Sequence, residues 1–285
     1  MQEDPRLASL SLQGHEAALQ AFRTALASGR MPHAWLITGP PGIGKATFAF
    51  RVARLILGGE DADSPAGRRI SAATHADLLV VSRSFDEKRQ RFRGEIVADE
   101  VRPINAFLRR TAAEGGWRVV IVDGAEWLNR SAANALLKIL EEPPPQAVLL
   151  LTSSAPGRLL PTIRSRCRKL DLAPLDTHSL QSVIVRQVPD VSPADMTRML
   201  ESAQGAPGRA LALLADQGGK MADLAQEAVA GVSNRARQSA RHGLNQSNAL
   251  AQAWEAIMRL QGETERFNLD KQESLLQAMT IASKA

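Results

Sequence analysis

One segment of the sequence has the composition and spacing of a phosphate-binding loop. Residues 39–45 read Gly-Pro-Pro-Gly-Ile-Gly-Lys and match the pattern G-x-x-x-x-G-K. In such a loop the glycines let backbone N–H groups close around phosphate oxygens, and Lys45 neutralises the β- and γ-phosphates. A Gly/Pro-rich turn without a ligand is disfavoured, because a strand pattern precedes the segment and a helical pattern follows it. We therefore predict nucleotide-binding residues at Gly39, Pro40, Pro41, Gly42, Ile43, Gly44, Lys45, Ala46 and Thr47.

The groups that would hold magnesium at this loop are only partly present. Ala46 stands where the motif has a Ser or Thr hydroxyl. Thr47 lies about 100° further round a helix and is a poor substitute. Asp123 ends the apolar run Val119–Asp123, where an acid is placed to hold Mg²⁺ through water. The sequence thus predicts a site where ATP or ADP can bind without being required and where fast hydrolysis is not supported.

The elements around the loop predict an α/β fold with a parallel sheet. Apolar runs with little polar alternation are typical of strands covered on both faces, and they occur at Ala34–Thr38, Leu78–Ser82, Val119–Asp123 and Val148–Thr152. Helical patterns fall between them, one of them at Ser131–Glu142 before three prolines. The run Gly58–Ala73, rich in Gly, Asp, Ser and Pro, predicts an exposed loop.

Strand patterns disappear after Ala173. Ser192 and Pro193 predict the start of one helix that ends near Gly205, and a further helix is predicted to begin near Pro207. We predict a P-loop α/β domain at residues 1–172, a small helical lid at 173–217 and a short all-helical domain at 218–285.

Composition is that of a soluble globular protein, with 44% hydrophobic and 23% charged residues. No apolar stretch approaches the roughly 20 residues that cross a bilayer, so no membrane partner is expected. A single cysteine, Cys167, excludes an internal disulfide framework and fits the cytoplasm. The net charge of +5 permits contact with nucleic acid without arguing for it.

Ser165-Arg166-Cys167 follows Pro161-Thr162-Ile163-Arg164, and Leu140-Glu141-Glu142-Pro143-Pro144 lies upstream. These motifs resemble the clamp-loader family of AAA+ proteins. The resemblance implies that Arg166, placed at the end of the last strand, projects toward the ATP of a neighbouring subunit as an arginine finger. Two alternatives remain: a surface arginine in a basic run, or a phosphate contact on DNA.

The resemblance also assigns two further positions. In AAA+ ATPases a glutamate directly follows the Asp123 position and polarises the attacking water, but here that residue is Gly124. Arg209, in the segment Gly205–Leu211, corresponds to an arginine of the helical lid that senses nucleotide. An ordinary helix start explains the segment equally well.

The retained loop combined with Ala46, Gly124 and Arg166 most resembles the non-motor branch of the bacterial DNA polymerase III clamp-loader family. That branch implies a stator-like subunit beside ATP-hydrolysing and clamp-opening subunits in a hetero-pentamer, which places a sliding clamp on primed DNA. Many members hold a zinc ion with four cysteines, but residues 57–85 contain no cysteine, so no zinc is predicted.

Three other functions each fit part of the sequence. A motor subunit of the same ring would need Thr47 and Glu126 as substitutes for the missing groups. A P-loop adaptor outside replication would leave the Ser-Arg-Cys motif unexplained. A free-standing DNA-binding protein is disfavoured because no recognition helix or stacking aromatic residues stand out and aromatics make up only 4% of the chain.

Overall fold

The computed structural model describes residues 13–86, 91–114 and 116–215. Contacts between Cα atoms divide the chain into two units, Met1–Ala210 and Leu211–Ala285. The predicted C-terminal domain, residues 218–285, lies outside the described residues. The predicted domain boundaries at 172/173 and 217/218 stay predictions.

A parallel sheet of five strands forms the centre of the first unit. Its strands are β1 (Ala34–Thr38), β2 (Leu78–Val81), β5 (Arg118–Val122), β6 (Ala147–Ser153) and β7 (Arg168–Asp171). They lie in the order β2-β5-β6-β1-β7. A separate antiparallel hairpin joins β3 (Phe85–Asp86) to β4 (Arg91–Phe92). The α/β fold with a parallel sheet and four of the five strands are thereby confirmed.

Helices cover both faces of this sheet, and further helices follow its last strand. Within the described residues the helices are α1 (Glu16–Ala27), α2 (Lys45–Ile56), α3 (Pro65–Ser71), α4 (Ala98–Arg109), α5 (Arg130–Glu141), α6 (Pro161–Arg164), α7 (Thr177–Gln187), α8 (Pro193–Ala203) and α9 (Pro207–Ala215). Short 3₁₀ turns lie at Ala125–Trp127 and Pro156–Arg158. Every residue of β1, β5 and β6 is buried, which explains why these strands are continuous apolar runs in the sequence.

Two hydrophobic layers hold the helices on the sheet. On one face, side chains of α4 and α5 such as Ile104 and Leu136 pack against β5 and β6. On the other face, Phe22 of α1 stacks on Trp35 of β1 with ring centroids 3.9 Å apart. Because β1 and β6 are fixed from both sides, the loops at their carboxyl ends start from a rigid base.

The segment 58–73, predicted as an exposed loop, contains a helix and is partly buried, so that prediction is wrong. Ser64 caps α3 by accepting a hydrogen bond from the backbone N–H of Gly67 at 3.0 Å. Arg54 of α2 is fully buried and donates to Gly59 O at 2.9 Å and to Ser71 Oγ at 2.6 Å. These hydrogen bonds order the segment in a way that its local composition does not show.

The start of α8 is confirmed at its predicted cap, where Ser192 Oγ accepts from Asp195 N at 3.1 Å. The helix ends at Ala203; its C-cap, Gln204, adopts a left-handed φ of 50°, and Gly205 continues the turn with a φ of 76°. A Cβ on Gly205 would lie 2.6 Å from Leu175 O, so the backbones approach too closely there for a side chain.

Candidate nucleotide-binding site

The predicted phosphate loop connects β1 to α2 at the carboxyl edge of the sheet. Gly42 and Gly44 have left-handed φ angles of 78° and 97°, and Gly39 has a φ of 151°. A Cβ on Gly39 would lie 2.7 Å from Leu172 O, whereas a Cβ on Gly44 would meet nothing within 4 Å. The glycines therefore allow a backbone path that other residues adopt only with strain.

Lys45 is the buried cation of this loop. Its Nζ donates to the backbone oxygens of Gly39 at 2.9 Å and Pro40 at 2.8 Å. Burial lowers the pKa of the Lys45 ammonium. The carboxylates of Glu126 and Asp123 raise this pKa, but by less than burial lowers it. The sequence-predicted Lys45 and Asp123 thus share one electrostatic environment.

Asp123 directly follows β5, as predicted, and is held by the neighbouring strand. Thr152 Oγ1 donates to Asp123 Oδ1 at 2.7 Å and accepts from Gly124 N at 2.9 Å. Thr152 was not among the predicted site residues. Its signal in the sequence is a hydroxyl residue at the end of an otherwise apolar run, which becomes informative only once β6 is known to lie beside β5.

The two positions that depart from an active ATPase are Ala46, in the first turn of α2, and Gly124. Gly124 has a φ of 80°, and a Cβ there would lie 2.8 Å from Cδ1 of Trp127. Glu126, the nearest acid after Asp123, accepts a hydrogen bond from Ser154 N at 3.0 Å through Oε1. The predicted phosphate loop is therefore present, but the site has neither a hydroxyl at position 46 nor an acid at position 124.

The start of α9 lies directly on the phosphate loop. Gly208 N donates to Gly42 O at 2.8 Å, and a Cβ on Gly208 would lie 2.9 Å from Gly42 Cα. Arg209 follows, and a Cβ on Gly42 would lie 2.9 Å from its backbone nitrogen. The structure thus brings the predicted lid residue Arg209 to the loop by its backbone, while its guanidinium donates to Gln204 Oε1 at 3.1 Å.

Arg166 lies in the turn between α6 and β7. The expectation that it ends the last strand is wrong, because Pro161 begins a short helix and the last strand follows the arginine. Its guanidinium donates to Thr162 O at 3.0 Å and pairs with Glu141 of α5 at 2.9 Å. The Arg166 side chain is 35% exposed. It can therefore be approached from outside the chain while two contacts fix its position.

Among residues 13–86, 91–114 and 116–215, no group of three or more His, Cys, Asp or Glu side chains is arranged to hold a metal ion. In the same ranges, no helix has the length and apolar character required to cross a membrane.

The strand order, the phosphate loop after β1 and the acid after β5 define a P-loop α/β protein. A family model described as DNA polymerase III, delta subunit, matches residues 14–176, and the chain belongs to that family.

Two relatives in this family are named DNA polymerase III subunit delta'. The one from Pseudomonas aeruginosa is 33% identical over 231 residues, which cover 79% of this chain and 66% of the relative. The one from Escherichia coli K12 is 35% identical over 196 residues, which cover 65% of this chain and 55% of the relative. The chain therefore spans less than two thirds of the length of these relatives. A solved structure of the Thermotoga maritima RuvB Holliday junction branch migration motor covers 77% of this chain and 66% of its own, at 22% identity and a TM-score of 0.49.

Proposed function

We propose that this chain is a non-motor, stator-like subunit of the DNA polymerase III clamp loader. The observation that carries the proposal is the combination, in one site, of an intact phosphate loop with Ala46 and Gly124 at the positions that serve magnesium and the attacking water. Family membership supports the assembly, since the relatives are named as subunits of DNA polymerase III. A P-loop adaptor outside replication is disfavoured on the same ground.

The residues of the loop fit the phosphates of ATP or ADP. The first turn of α2 presents backbone N–H groups that have no intrahelical acceptor, as at every helix N-terminus, and Gly44 leaves open space beside them. A bound nucleotide would take the ammonium of Lys45 from the oxygens of Gly39 and Pro40, which it contacts at 2.9 and 2.8 Å. Magnesium fits less well, since Ala46 offers no oxygen.

Phosphoryl transfer depends on positioning and on stabilisation of the developing charge. Loss of one preorganised group typically lowers such rates by about 10²–10³. The contribution of this chain to ATP hydrolysis is therefore made to a neighbouring subunit, through Arg166. Its guanidinium is permanently charged and its planar fork matches phosphate oxygens better than an ammonium does. Glu141 and Thr162 hold the side chain at a turn that a partner can reach.

The proposed partners are the motor and clamp-opening subunits of a hetero-pentamer, and through them the sliding clamp and primed DNA. The test is to mix the purified full chain with those subunits, separate the products by size exclusion and assay the complex for loading of a clamp on primed DNA. Co-elution with loading that requires this chain is the expected result. A complex that forms and loads clamps equally well without the chain would overturn the proposal.

A further inference from the structure

An uninterrupted row of arginine and aromatic side chains lies near the carboxyl ends of β2, β5 and β6. The row consists of Phe85, Phe92, Arg83, Trp127 and Arg158. Phe85 and Phe92 face each other across the hairpin with ring centroids 5.3 Å apart, at an angle of 79°. The guanidinium carbon of Arg83 lies 5.7 Å from the centroid of Phe92 and 4.1 Å from that of Trp127. Arg158 continues the row, 5.1 Å from the ring of Trp127.

The two phenylalanines of this row are unusually exposed. Phe85 is 48% exposed and Phe92 58%. Among the described residues, the other large apolar side chains with comparable exposure are Val80 and Val185. Exposed apolar surface at one place marks an interaction site more often than scattered apolar residues do. The nucleotide site does not use either ring.

Backbone hydrogen bonds join the hairpin to the body of the protein. Arg93 N donates to Ser84 O at 2.9 Å within the hairpin, and Ile96 N donates to Trp127 O at 2.7 Å just after it. Asn129 N donates to Ile96 O at 3.0 Å, which is a second hydrogen bond between the same two segments. The rings are therefore presented on an anchored base, which reduces the entropy lost when a ligand stacks on them.

Within the described part of the chain, arginine side chains flank the rings: Arg83, Arg93 and Arg158. Arg93 is exposed next to Phe92, and Arg158 is exposed at the other end of the row. The carboxylates of Glu126 and Asp123 partly offset the positive charge of Arg83. Arg83 therefore serves mainly to hold the rings of Phe92 and Trp127. Among the described residues beside the row, Arg93 and Arg158 are exposed cations that an external ligand can reach.

We propose that the row Phe85, Phe92, Arg83, Trp127 and Arg158, together with Arg93, binds single-stranded nucleic acid. Unpaired bases stack on aromatic side chains regardless of sequence, and flanking arginines contact the phosphates between them. A duplex uses its base faces internally and offers them to no external ring, so the exposed phenylalanines favour a single strand. A protein partner would use the same rings as apolar surface, and the experiment separates the two ligands.

The experiment measures binding of the full chain, without other subunits, to a fluorescent oligodeoxythymidylate by anisotropy. The test variant is Phe92→Ala/Arg93→Gln. Its matched control is Val185→Ala/Arg186→Gln on α7, which also removes one exposed apolar side chain and one adjacent positive charge. A third variant, Phe92→Leu, keeps apolar surface but removes the aromatic face. Thermal unfolding of every variant verifies that it folds.

Unmutated protein and the control are expected to bind the single strand with equal affinity. Phe92→Ala/Arg93→Gln should bind about tenfold or more weakly, and Phe92→Leu should be nearly as weak, because one stacked base is lost. The slope of log K against log salt should fall by about 0.7 when the phosphate contact of Arg93 is removed. For a duplex of the same length, Phe92→Ala/Arg93→Gln and its control should change in affinity equally. Each of them removes one positive charge, and a duplex does not stack on Phe92.

Three results would overturn the proposal. One is that the unmutated chain binds the single strand no better than the duplex. Another is that Phe92→Ala/Arg93→Gln and its control bind equally. The last is that Phe92→Leu binds like the unmutated chain while Phe92→Ala/Arg93→Gln fails to join the other clamp-loader subunits, which would make the row a protein contact. Because the assay uses the isolated chain, its outcome does not depend on the proposed role in the ring.

Discussion

Glu141 of α5 lies 2.9 Å from the guanidinium of Arg166, and this ion pair connects two motifs that are separate in the sequence. Glu141 belongs to the Leu-Glu-Glu-Pro-Pro segment and Arg166 to the Ser-Arg-Cys segment. The pair is partly exposed, with 35% of the Arg166 side chain and 50% of the Glu141 side chain accessible. Its contribution to stability is therefore at most about 1 kcal/mol. Its importance lies in the orientation that it gives to Arg166.

Glu141→Ala is expected to lower ATP hydrolysis by the assembled ring at saturating ATP, because Arg166 loses one of its two fixed contacts. The expected loss is about tenfold, since a displacement of about 1 Å can cost up to 10² in rate. Glu142→Ala, which removes the adjacent exposed carboxylate, is the matched control and should leave the rate unchanged. A kcat for Glu141→Ala equal to that of the control would show that the ion pair does not position Arg166.

The isolated chain is expected to hydrolyse ATP negligibly, with or without DNA, because Ala46 cannot bind Mg²⁺ and Glu126 is held by Ser154 N at 3.0 Å. Steady-state phosphate release measures this directly. Turnover of about 1 s⁻¹, which is ordinary for an enzyme, would contradict it and favour the motor interpretation with Thr47 and Glu126.

Ala46→Thr combined with Gly124→Glu is expected to leave hydrolysis equally low. Gly124 has a φ of 80°, and a Cβ there would lie 2.8 Å from Cδ1 of Trp127. The added glutamate would therefore strain the backbone and displace the ring. The variant would still lack a cation from a neighbouring subunit.

Gly208→Ala is expected to destabilise the fold, because the added Cβ would lie 2.9 Å from Gly42 Cα, where the start of α9 rests on the phosphate loop. Overpacking typically costs about 1–3 kcal/mol, and the better helix propensity of alanine returns up to about 1 kcal/mol. A net cost of about 1–2 kcal/mol lowers Tm by roughly 2–8 °C. In Gly157→Ala the Cβ would meet nothing within 4 Å, so the Tm of this control should not fall. Equal Tm values for the two variants would mean that α9 moves away from the loop without cost.

The sheet and the nucleotide loop could be predicted because their signals are local. β1, β5 and β6 are continuous apolar runs, and the loop is a contiguous motif whose positive-φ glycines are visible as residue types. β7 could not be predicted in the same way, because it is an exposed edge strand with the sequence Arg-Lys-Leu-Asp. Because β7 was not predicted, Arg166 was expected at the end of the last strand. Arg166 was selected correctly as a candidate residue, but its position in the turn before β7 was not predicted.

The relationships that could not be predicted from the sequence are contacts between segments that lie far apart along the chain. The hydrogen bond from Gly208 to Gly42 and the ion pair of Arg166 with Glu141 join residues from different elements. The arginine–aromatic row is likewise drawn from the ends of three strands. Such contacts follow from strand order, which no local pattern specifies.

Cys167 is expected to react slowly with iodoacetamide, because burial raises the pKa of its thiol from 9.0 to about 11. The thiolate is the reactive form, so the two-unit shift lowers the alkylation rate near pH 8 by roughly a hundredfold relative to the unfolded chain. The rate for folded protein should still rise with pH above 9 and level off only near 11. As the chain has one cysteine, mass spectrometry follows this residue alone. A plateau near pH 9 in the folded protein would contradict the prediction.

Arg166→Ala tests the proposed contribution of this chain to its neighbour most directly. The variant should fold and assemble, because a partly exposed arginine contributes little to stability. Clamp-stimulated ATP hydrolysis by the reconstituted ring should fall tenfold or more, since an arginine supplied in trans is worth about 10³–10⁵ in rate. Arg166→Lys should recover little of this loss, because it keeps the charge but not the planar fork. Arg164→Ala, an exposed arginine in the same basic run, is the control and should hydrolyse at the unmutated rate. If the Arg166→Ala ring also hydrolyses ATP and loads clamps at that rate, Arg166 is a surface charge, and the stator proposal loses its catalytic part.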